Sequence, residues 1–279
     1  MKILATGATG QFAGLVVPAL VRAGLTVRAM VHDTAKADVP RDQGAQEIVA
    51  ADLRDADSLD AALTGVDGAF LITPAFAPDA TQLGLTFVEA AQRAGVRKLV
   101  YSGVYHPSLP LENHAATRPV ETALYASDLD FTILQPAMFL QGLDSAWQQA
   151  RRTGALVMPW SKRSQMTYVD YRDVSEVVAL AFAEKRLSYG TFELAAGGTV
   201  DRVRLAELFS AASGSRITAD DLPAGAPPAD LPPGLVAMFA DYDHHGFHGG
   251  NSLALQAILR RAPRSVESYV AELVKETNS

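Results

Sequence analysis

Short apolar runs and longer segments with an apolar residue at every third or fourth place alternate through the first half of the chain. Lys2-Ile3-Leu4-Ala5 has the length of a buried strand. Phe12, Leu15, Val16, Ala19, Leu20 and Ala23 follow at helical spacing, closed by Gly24 as a left-handed cap. The same alternation continues. Thr26–Val31 predicts a second strand, Glu47–Ala51 a third, Ala69–Thr73 a fourth and Val96–Tyr101 a fifth. Ser58–Leu63, stopped by Gly65, and Ala80–Ala94, stopped by Gly95, predict the intervening helices. Such an order gives right-handed crossovers and a doubly wound parallel sheet of the α/β class, with ligands beyond the carboxyl ends of the strands. Asp52, Thr73 and Ser102 all fall at such ends.

Between the first strand and its helix lies Thr6-Gly7-Ala8-Thr9-Gly10-Gln11-Phe12-Ala13-Gly14. A strand, a glycine turn and a helix N-terminus in this order make an anion site. Backbone N–H groups and the positive end of the helix dipole face the phosphate, and glycines let the main chain come close. The spacing is Gly-x-x-Gly-x-x-Ala, with Ala13 where a small residue is needed for helix–strand packing. The end of the second strand then sits beside the ribose 2′-position. It reads Val31-His32-Asp33, with Lys36 beyond. His32 and Lys36 are candidates to face the 2′-phosphate of NADP. Asp33 is the candidate that would instead hold the ribose of NAD. NADP is the favoured cofactor, with NAD the alternative.

The second half is less regular. Leu143–Arg152 reads as a helix, and its Trp147 is a candidate both for core and for a pocket wall. Asp173–Phe182 is a helix with Val174, Val177, Val178 and Phe182 as its apolar stripe and Asp170 as its cap. Thr191–Leu194 is a short strand expected to rejoin the sheet, and Leu205–Ala212 a helix stopped by Gly214. Five prolines between residues 221 and 234 predict a stiff loop. Asp241–Gly250, with three of the six histidines and hinge glycines at 246, 249 and 250, reads as a mobile loop carrying Phe247 over a substrate pocket. No matching ligand set elsewhere supports a metal centre there. Ser265 caps a last helix whose Val266, Tyr269, Val270 and Leu273 face inward. The expected division is a dinucleotide-binding core over residues 1–139, with 191–195 rejoining its sheet, and a smaller, mostly helical substrate-binding lobe over 140–279.

Composition narrows the partners. Net charge is −7 without a basic run, which argues against nucleic acid and anionic membranes. No apolar stretch reaches the roughly 18–20 residues that span a bilayer, and the chain opens on a strand, so the expectation is a cytoplasmic protein. The absence of cysteine removes disulfides, thiolate catalysis and cysteine-ligated metals. The expected partner is a small-molecule acceptor, with a homodimer and a monomer both open.

Several segments together resemble the NmrA-like branch of the atypical short-chain dehydrogenase/reductase superfamily. They are Thr6–Gly10, Val27–Asp33, Ala51–Asp55 with Ser58-Leu59, and Leu99-Val100-Tyr101-Ser102. Phe131–Phe139 resembles that family's T-I-L-x-P-x-x-F element, and Tyr168–Val174 its Y-V-D-x-x-D-V turn. The resemblance covers most of the chain to about residue 210. It implies a Rossmann-type fold that binds NAD(P). Some members are NAD(P)H-dependent reductases of quinones, azo dyes or similar acceptors, and others are regulators that bind the cofactor without known turnover. By resemblance Gly7, Gly10, Gln11 and Phe12 hold the pyrophosphate, and Thr9 between them is a further cofactor-binding candidate. His32 stands where many members carry arginine for the 2′-phosphate. Asp52 and Leu53 match the adenine edge, Thr73 the loop above the ribose, Ser102 the end of the serine strand, and Pro136 to Phe139 the wall near the nicotinamide. Met138, Trp147, Tyr105 and Phe247 are then candidates for the substrate pocket.

The chemistry is less fully specified. Short-chain dehydrogenases usually place Tyr-x-x-x-Lys after the serine strand, and no such pair follows Ser102. Where the family commonly carries a lysine four residues before Glu121, this chain has Thr117. Tyr105 and His114 are the nearby candidates for a proton role, against their reading as a loop tyrosine and a pocket histidine. His114 and Arg118 have the spacing of four that aligns residues on one helix face, but Pro119 suits a helix's first turn, so with a helix starting near Thr117 the two need not align. Hydride transfer to a quinone or flavin-like acceptor needs stacking and orientation, and solvent can supply its proton. The leading expectation is an NAD(P)H-dependent reductase of a small quinone-, azo- or carbonyl-type acceptor. The alternative is a non-catalytic NAD(P)-binding redox sensor acting through a protein partner. A serine hydrolase is weak, because Val100-Tyr101-Ser102-Gly103-Val104 lacks both glycines of a nucleophile elbow.

Overall fold

The computed structural model describes residues 1–222 and 231–277. The chain forms two units, Met1–Pro136 with Tyr171–Glu193 and Ala137–Asp170 with Leu194–Ser279. It opens with β1 (Lys2–Ala5), α1 (Val16–Arg22), β2 (Thr26–Val31), α2 (Asp38–Asp42), β3 (Glu47–Ala50), α3 (Ala56–Leu63) and β4 (Gly68–Ile72). α4 (Ala80–Arg93), β5 (Lys98–Ser102), α5 (Glu112–Ala115), α6 (Arg118–Tyr125) and β6 (Asp130–Pro136) follow. The second unit begins with β7 (Met138–Phe139), α7 (Leu143–Thr153), β8 (Ala155–Met158) and β9 (Tyr168–Val169). α8 (Tyr171–Ala183) and β10 (Gly190–Leu194) return to the first unit's sheet, and α9 (Arg202–Ser213), β11 (Thr218–Asp221), α10 (Pro233–His245), α11 (Leu253–Leu259) and α12 (Val266–Thr277) end the chain.

The first unit is a seven-stranded sheet in the order β10-β6-β5-β4-β1-β2-β3. The pairs β1 with β2 and β4, β2 with β3, β4 with β5 and β5 with β6 are all parallel. Every residue of β5 is buried, as befits a central strand covered on both faces. Leu4, Leu71, Leu99 and Ile133 of the sheet pack with Leu59 of α3, Phe87 of α4 and Val120 of α6. Gly84 makes the α4–α6 approach feasible, since a Cβ there would lie 2.4 Å from Val120 Cγ2. On the other face α8 packs against α1. Asp55 caps α3 by accepting from the N–H groups of Asp57 and Ser58 at 3.1 and 3.3 Å.

Helix and strand positions in this unit broadly follow the hydrophobic pattern, and the differences that bear on the site are these. The first helix opens as a 3₁₀ turn over Ala13–Leu15, and Phe12 stands before it rather than in it. α8 starts at Tyr171, two residues earlier than the expected Asp173, which puts Asp170 directly before its first residue, and the Asp170 carboxylate also accepts from Gln141 Nε2 at 2.8 Å. α8 also belongs to the first unit, so the lobe expected over 140–279 is interrupted. The cause is its apolar stripe, which packs Val174, Val177 and Val178 inward.

The second unit is mainly helical, with two short parallel pairs, β8 with β11 and β7 with β9. Here the expected mobile loop over Asp241–Gly250 is corrected. Asp241–His245 forms the last turns of α10. Phe247 is buried, with its N–H on the Gln165 carbonyl at 2.8 Å and its carbonyl accepting from Thr167 N at 3.0 Å. Pro233 stands at the first turn of α10, where its missing N–H costs nothing, so Pro232 and Pro233 introduce a helix. Pro223, Pro227 and Pro228 of the expected stiff loop lie outside the described residues. Among the described residues no helix is long and apolar enough to cross a membrane.

Candidate dinucleotide site and apolar pocket

The glycine turn sits where β1 and β4 end side by side. The Thr6 hydroxyl fixes that junction, accepting from Ile72 N at 3.0 Å, while Thr6 N donates to the Phe70 carbonyl at 3.1 Å. Gly7 then takes φ +66°, and a Cβ on it would lie 2.9 Å from Ala13 Cβ and 3.0 Å from Ile72 Cγ2. Only glycine satisfies both the backbone and the space. The turn tightens through Gly10 N donating to the Gly7 carbonyl and Gly14 N to the Gly10 carbonyl, each at 2.9 Å. No side chain caps the first turn of the helix that follows. This cradle, at a helix start with glycine at its closest point, fits a dinucleotide pyrophosphate. Gly7, Gly10 and Gln11 are exposed on it, and Thr9 and Phe12 are half-buried.

The rim continues along the adjacent strand ends. His32 follows β2 with its side chain 79% exposed, and its Nδ1 lies 3.6 Å from Asp52 Oδ2 after β3. Asp52 Oδ1 also accepts from Arg54 N at 2.9 Å, and Arg54 is paired with Asp79 through two nitrogens at 2.8 and 3.0 Å. Asp33 uses its Oδ1 to cap the turn over Thr34–Lys36, accepting from Ala35 N at 2.9 Å. Lys36 is exposed in that turn. Leu53 packs against the core beside α3, and Thr73 follows the last residue of β4. Pro136 closes β6.

Deeper in the first unit, Ser102 is buried at the end of β5. Its Oγ accepts from the Tyr171 hydroxyl at 3.4 Å, and burial pushes the Tyr171 pKa up to about 12. Glu121 of α6 is likewise buried, with Gln135 Nε2 donating to its two oxygens at 2.9 and 3.1 Å. Burial holds the Glu121 carboxyl above its ordinary range, against the pull of the Gln135 bond. Tyr105 and His114 are both buried. Tyr105 N donates to the Pro136 carbonyl at 3.0 Å, its ring lies 4.0 Å from that of His106, and burial, with the Glu193 charge second, raises its pKa. His114 Nδ1 lies 3.0 Å from the His106 carbonyl. His106 itself pairs with Glu193 at 2.9 Å. His114 sits on α5 and Arg118 starts α6, so the two occupy different helices. Thr117 stands at the N-cap position of α6, but its hydroxyl donates back to the His114 carbonyl at 2.9 Å.

In the second unit a cavity of about 260 Å³ is lined by Met138, Phe139, Leu143, Trp160, Tyr168 and Phe239. Ser145 and Gln149 are its polar wall residues. Met138 and Phe139 are therefore pocket residues. Trp147 and Phe247 are not among the residues that line this cavity. Trp147 stacks on Phe209 at 4.7 Å and donates Nε1 to Thr277 Oγ1 at 2.9 Å, which makes it core. Phe247 stacks on Tyr242 at 4.8 Å. Both are large aromatics whose direction no periodicity of a short segment fixes.

Sequence reasoning missed Thr6, the Glu121–Gln135 pair, Tyr171 and the Trp160–Phe239 wall. Glu121 carried a signal, since it stands between Val120 and Leu124 on the buried side of α6. Trp160 and Phe239 carried none, being brought together from segments far apart in the chain.

The comparisons with known proteins agree with this fold. The chain is 31% identical over 214 residues to an NAD(P)H azoreductase from Xenophilus azovorans, covering 76% of this chain and 74% of the relative. A triphenylmethane reductase from Citrobacter sp. shares the fold with a TM-score of 0.84 at 22% identity, over 99% of this chain and 100% of that one. An NADPH-dependent quinone oxidoreductase from Escherichia coli, solved with NADPH, gives a TM-score of 0.83 at 24% identity, covering both chains fully at 100% and 100%. The family model described as the NmrA-like family matches residues 1–243, and with that match spanning most of its length the chain belongs to the NmrA-like family.

Proposed function

We propose that the protein is an NAD(P)H-dependent reductase of a small acceptor of the quinone, azo or carbonyl type. The observation that carries this reading is the Gly7 cradle, which only a residue without a side chain can form and which fits a pyrophosphate. The azoreductase and quinone oxidoreductase relatives support the same class of chemistry. When bound, the reduced nicotinamide supplies a hydride. Gly7, Thr9, Gly10, Gln11 and Phe12 hold the pyrophosphate, and His32 and Lys36 face the 2′-phosphate. Asp33 is engaged as a cap, which favours NADP over NAD. The apolar cavity of the second unit takes the acceptor ring through Met138, Phe139 and Trp160.

Quinone- and azo-type acceptors suit the site better than simple carbonyls. A carbonyl needs a positioned acid, worth roughly 10²–10⁴-fold. Tyr105 is buried with a raised pKa, and its burial leaves proton delivery to solvent. Calorimetric titration with NADPH and NADH, followed by NADPH oxidation against a panel of quinones and azo dyes, tests the reading. Binding with quinone-dependent oxidation is expected. No heat with either dinucleotide overturns it, and binding without any turnover supports the sensor reading, which the absent Tyr-x-x-x-Lys pair favours.

His32 gives a sharper expectation. Arginine there presents a permanent planar fork to a phosphate, where imidazole gives at most a single donor to each oxygen. His32→Arg is expected to lower the NADPH Kd by about tenfold and to leave NADH unchanged, as read by the same titration.

A further inference from the structure

Arg202 opens α9, and its guanidinium has no exposed surface. A charge taken out of water in this way is retained only where acceptors surround it. Here Nη1 donates to the Met158 carbonyl at 2.8 Å. Nη2 donates to the Trp160 carbonyl and to Asp221 Oδ1, the latter at 2.9 Å. The Arg202 backbone N–H adds a bond to the Lys162 carbonyl at 3.1 Å. Asp221 Oδ1 accepts from Lys162 N at 2.7 Å, and Asp243 accepts from Ser161 N. The segment from Met158 to Lys162 is thus tied to α9, β11 and α10 at once.

Met158, Pro159 and Trp160 line the cavity of the second unit, and the Trp160 ring lies 5.5 Å from that of Phe239 on the same wall. A loop carrying a large aromatic would otherwise keep several rotamers and backbone states, and each would shape the cavity differently. A planar fork bonded to two carbonyls of one loop leaves a single arrangement. An ammonium group is a point charge and cannot hold both carbonyls and the carboxylate in the same plane.

We propose that Arg202 sets the acceptor specificity of this pocket by fixing Met158–Trp160 as a rigid wall for a flat, apolar, one- or two-ring acceptor. The proposal rests on the reductase reading above. Arg202 is a positioning residue, because it reaches the cavity only through the carbonyls it holds. The cavity volume of about 260 Å³ falls just below the usual range of ligand pockets, about 300 to 1,000 Å³. That size matches one or two fused rings, and the lining chemistry matches a quinone or aryl group with few polar atoms.

The test uses the full chain as wild type, Arg202→Lys and Asp221→Asn. Binding of 2-methyl-1,4-naphthoquinone is measured by calorimetry without dinucleotide, and KM and kcat for the same quinone by NADPH oxidation. Arg202→Lys is expected to raise the quinone Kd and KM by about tenfold, with kcat within about threefold and NADPH affinity unchanged. Asp221→Asn is expected to move the same constants in the same direction by less. With 5-fluorotryptophan incorporated, the two tryptophans give separate fluorine resonances. The Trp160 signal should broaden or shift in both variants, while that of Trp147, stacked on Phe209, stays in place.

If Arg202→Lys fails to fold, Asp221→Asn decides by the same readings. Unchanged Kd and KM in a variant with a displaced Trp160 signal overturn the proposal. So does an unmoved Trp160 signal, or a fall in kcat without a change in KM. Quinone that fails to bind wild-type protein, while NADPH binds, overturns the pocket assignment alone. Protein that binds quinone but no dinucleotide overturns the reductase reading and leaves the pocket standing.

Discussion

Gly7→Val is expected to raise the Kd for NADPH and for NADH at least about a hundredfold, the equivalent of about 2.8 kcal/mol. Two costs combine. The backbone at φ +66° lies in the left-handed region, where a side chain costs about 1–2 kcal/mol. The first carbon of that side chain would lie 2.9 Å from Ala13 Cβ and 3.0 Å from Ile72 Cγ2, and overpacking of this kind costs typically about 1–3 kcal/mol. Neither neighbour is the far end of a flexible chain, because Ala13 is held in the 3₁₀ turn and Ile72 ends a central strand. The loop therefore moves, and it moves where the anion would lie. Thermal unfolding beside the titration separates the two effects. A loss of stability within the sum of these costs together with lost binding is the expected pair, and undiminished binding would remove the turn from the site.

Glu121→Gln is expected to stabilise the protein at pH 8 and to change little at pH 5. Burial raises the folded-state pKa of Glu121 above its unfolded value. Between those two values the folded state binds the proton more tightly, so stability falls as pH rises through the window. The contribution is fully present below the unfolded pKa and lost above the folded one. The expected sign is therefore a gain at pH 8, where the buried carboxyl of the parent protein must carry its charge. Glutamine keeps an oxygen for Gln135 Nε2 and carries no charge to desolvate. Glu47 moves the opposite way, held low by Lys2 and then Arg28, so its contribution is lost only as pH falls into the acid range. Urea unfolding of both proteins at pH 5 and 8 makes the comparison. Parallel stability profiles would show that Glu121 ionises freely.

The first unit was legible from sequence because its central strands β4, β5 and β6 are largely buried apolar runs and α1, α3 and α4 stop at glycines. Gly24, Gly65 and Gly95 all take positive φ at the predicted stops. The cradle was legible for the same local reason, since Gly7, Gly10 and Ala13 are close in the chain and their spacing is the geometry. What failed depends on distant partners. Trp147 and Phe247 are pocket candidates in the sequence, but their directions are set by contacts the local sequence does not show: Trp147 stacks on the distant Phe209, and Phe247 is held by backbone bonds to Gln165 and Thr167. α10 was missed because its prolines read as a loop, whereas Pro233 only sets the entry to a helix whose Met238 and Tyr242 are the buried residues. Arg202 gave no sign of burial, because an arginine at a helix start is ordinarily solvated. Its acceptors at Met158, Trp160 and Asp221 come from two other segments.

The chain changes unit after Pro136, after Asp170 and after Glu193. Neither unit is thus a continuous piece of polypeptide. As the protein leaves the ribosome, the outer face of α1 waits for α8, and the β6 side of the sheet waits for β10. An emerging chain of about half length carries an open sheet edge and an uncovered apolar helix face, the two features that invite misassociation. The intervening 34 residues, Ala137 to Asp170, must be made before either can be closed. Completion of the first unit is in this way tied to synthesis of the other unit's first segment, and premature termination in between yields a chain with an open edge.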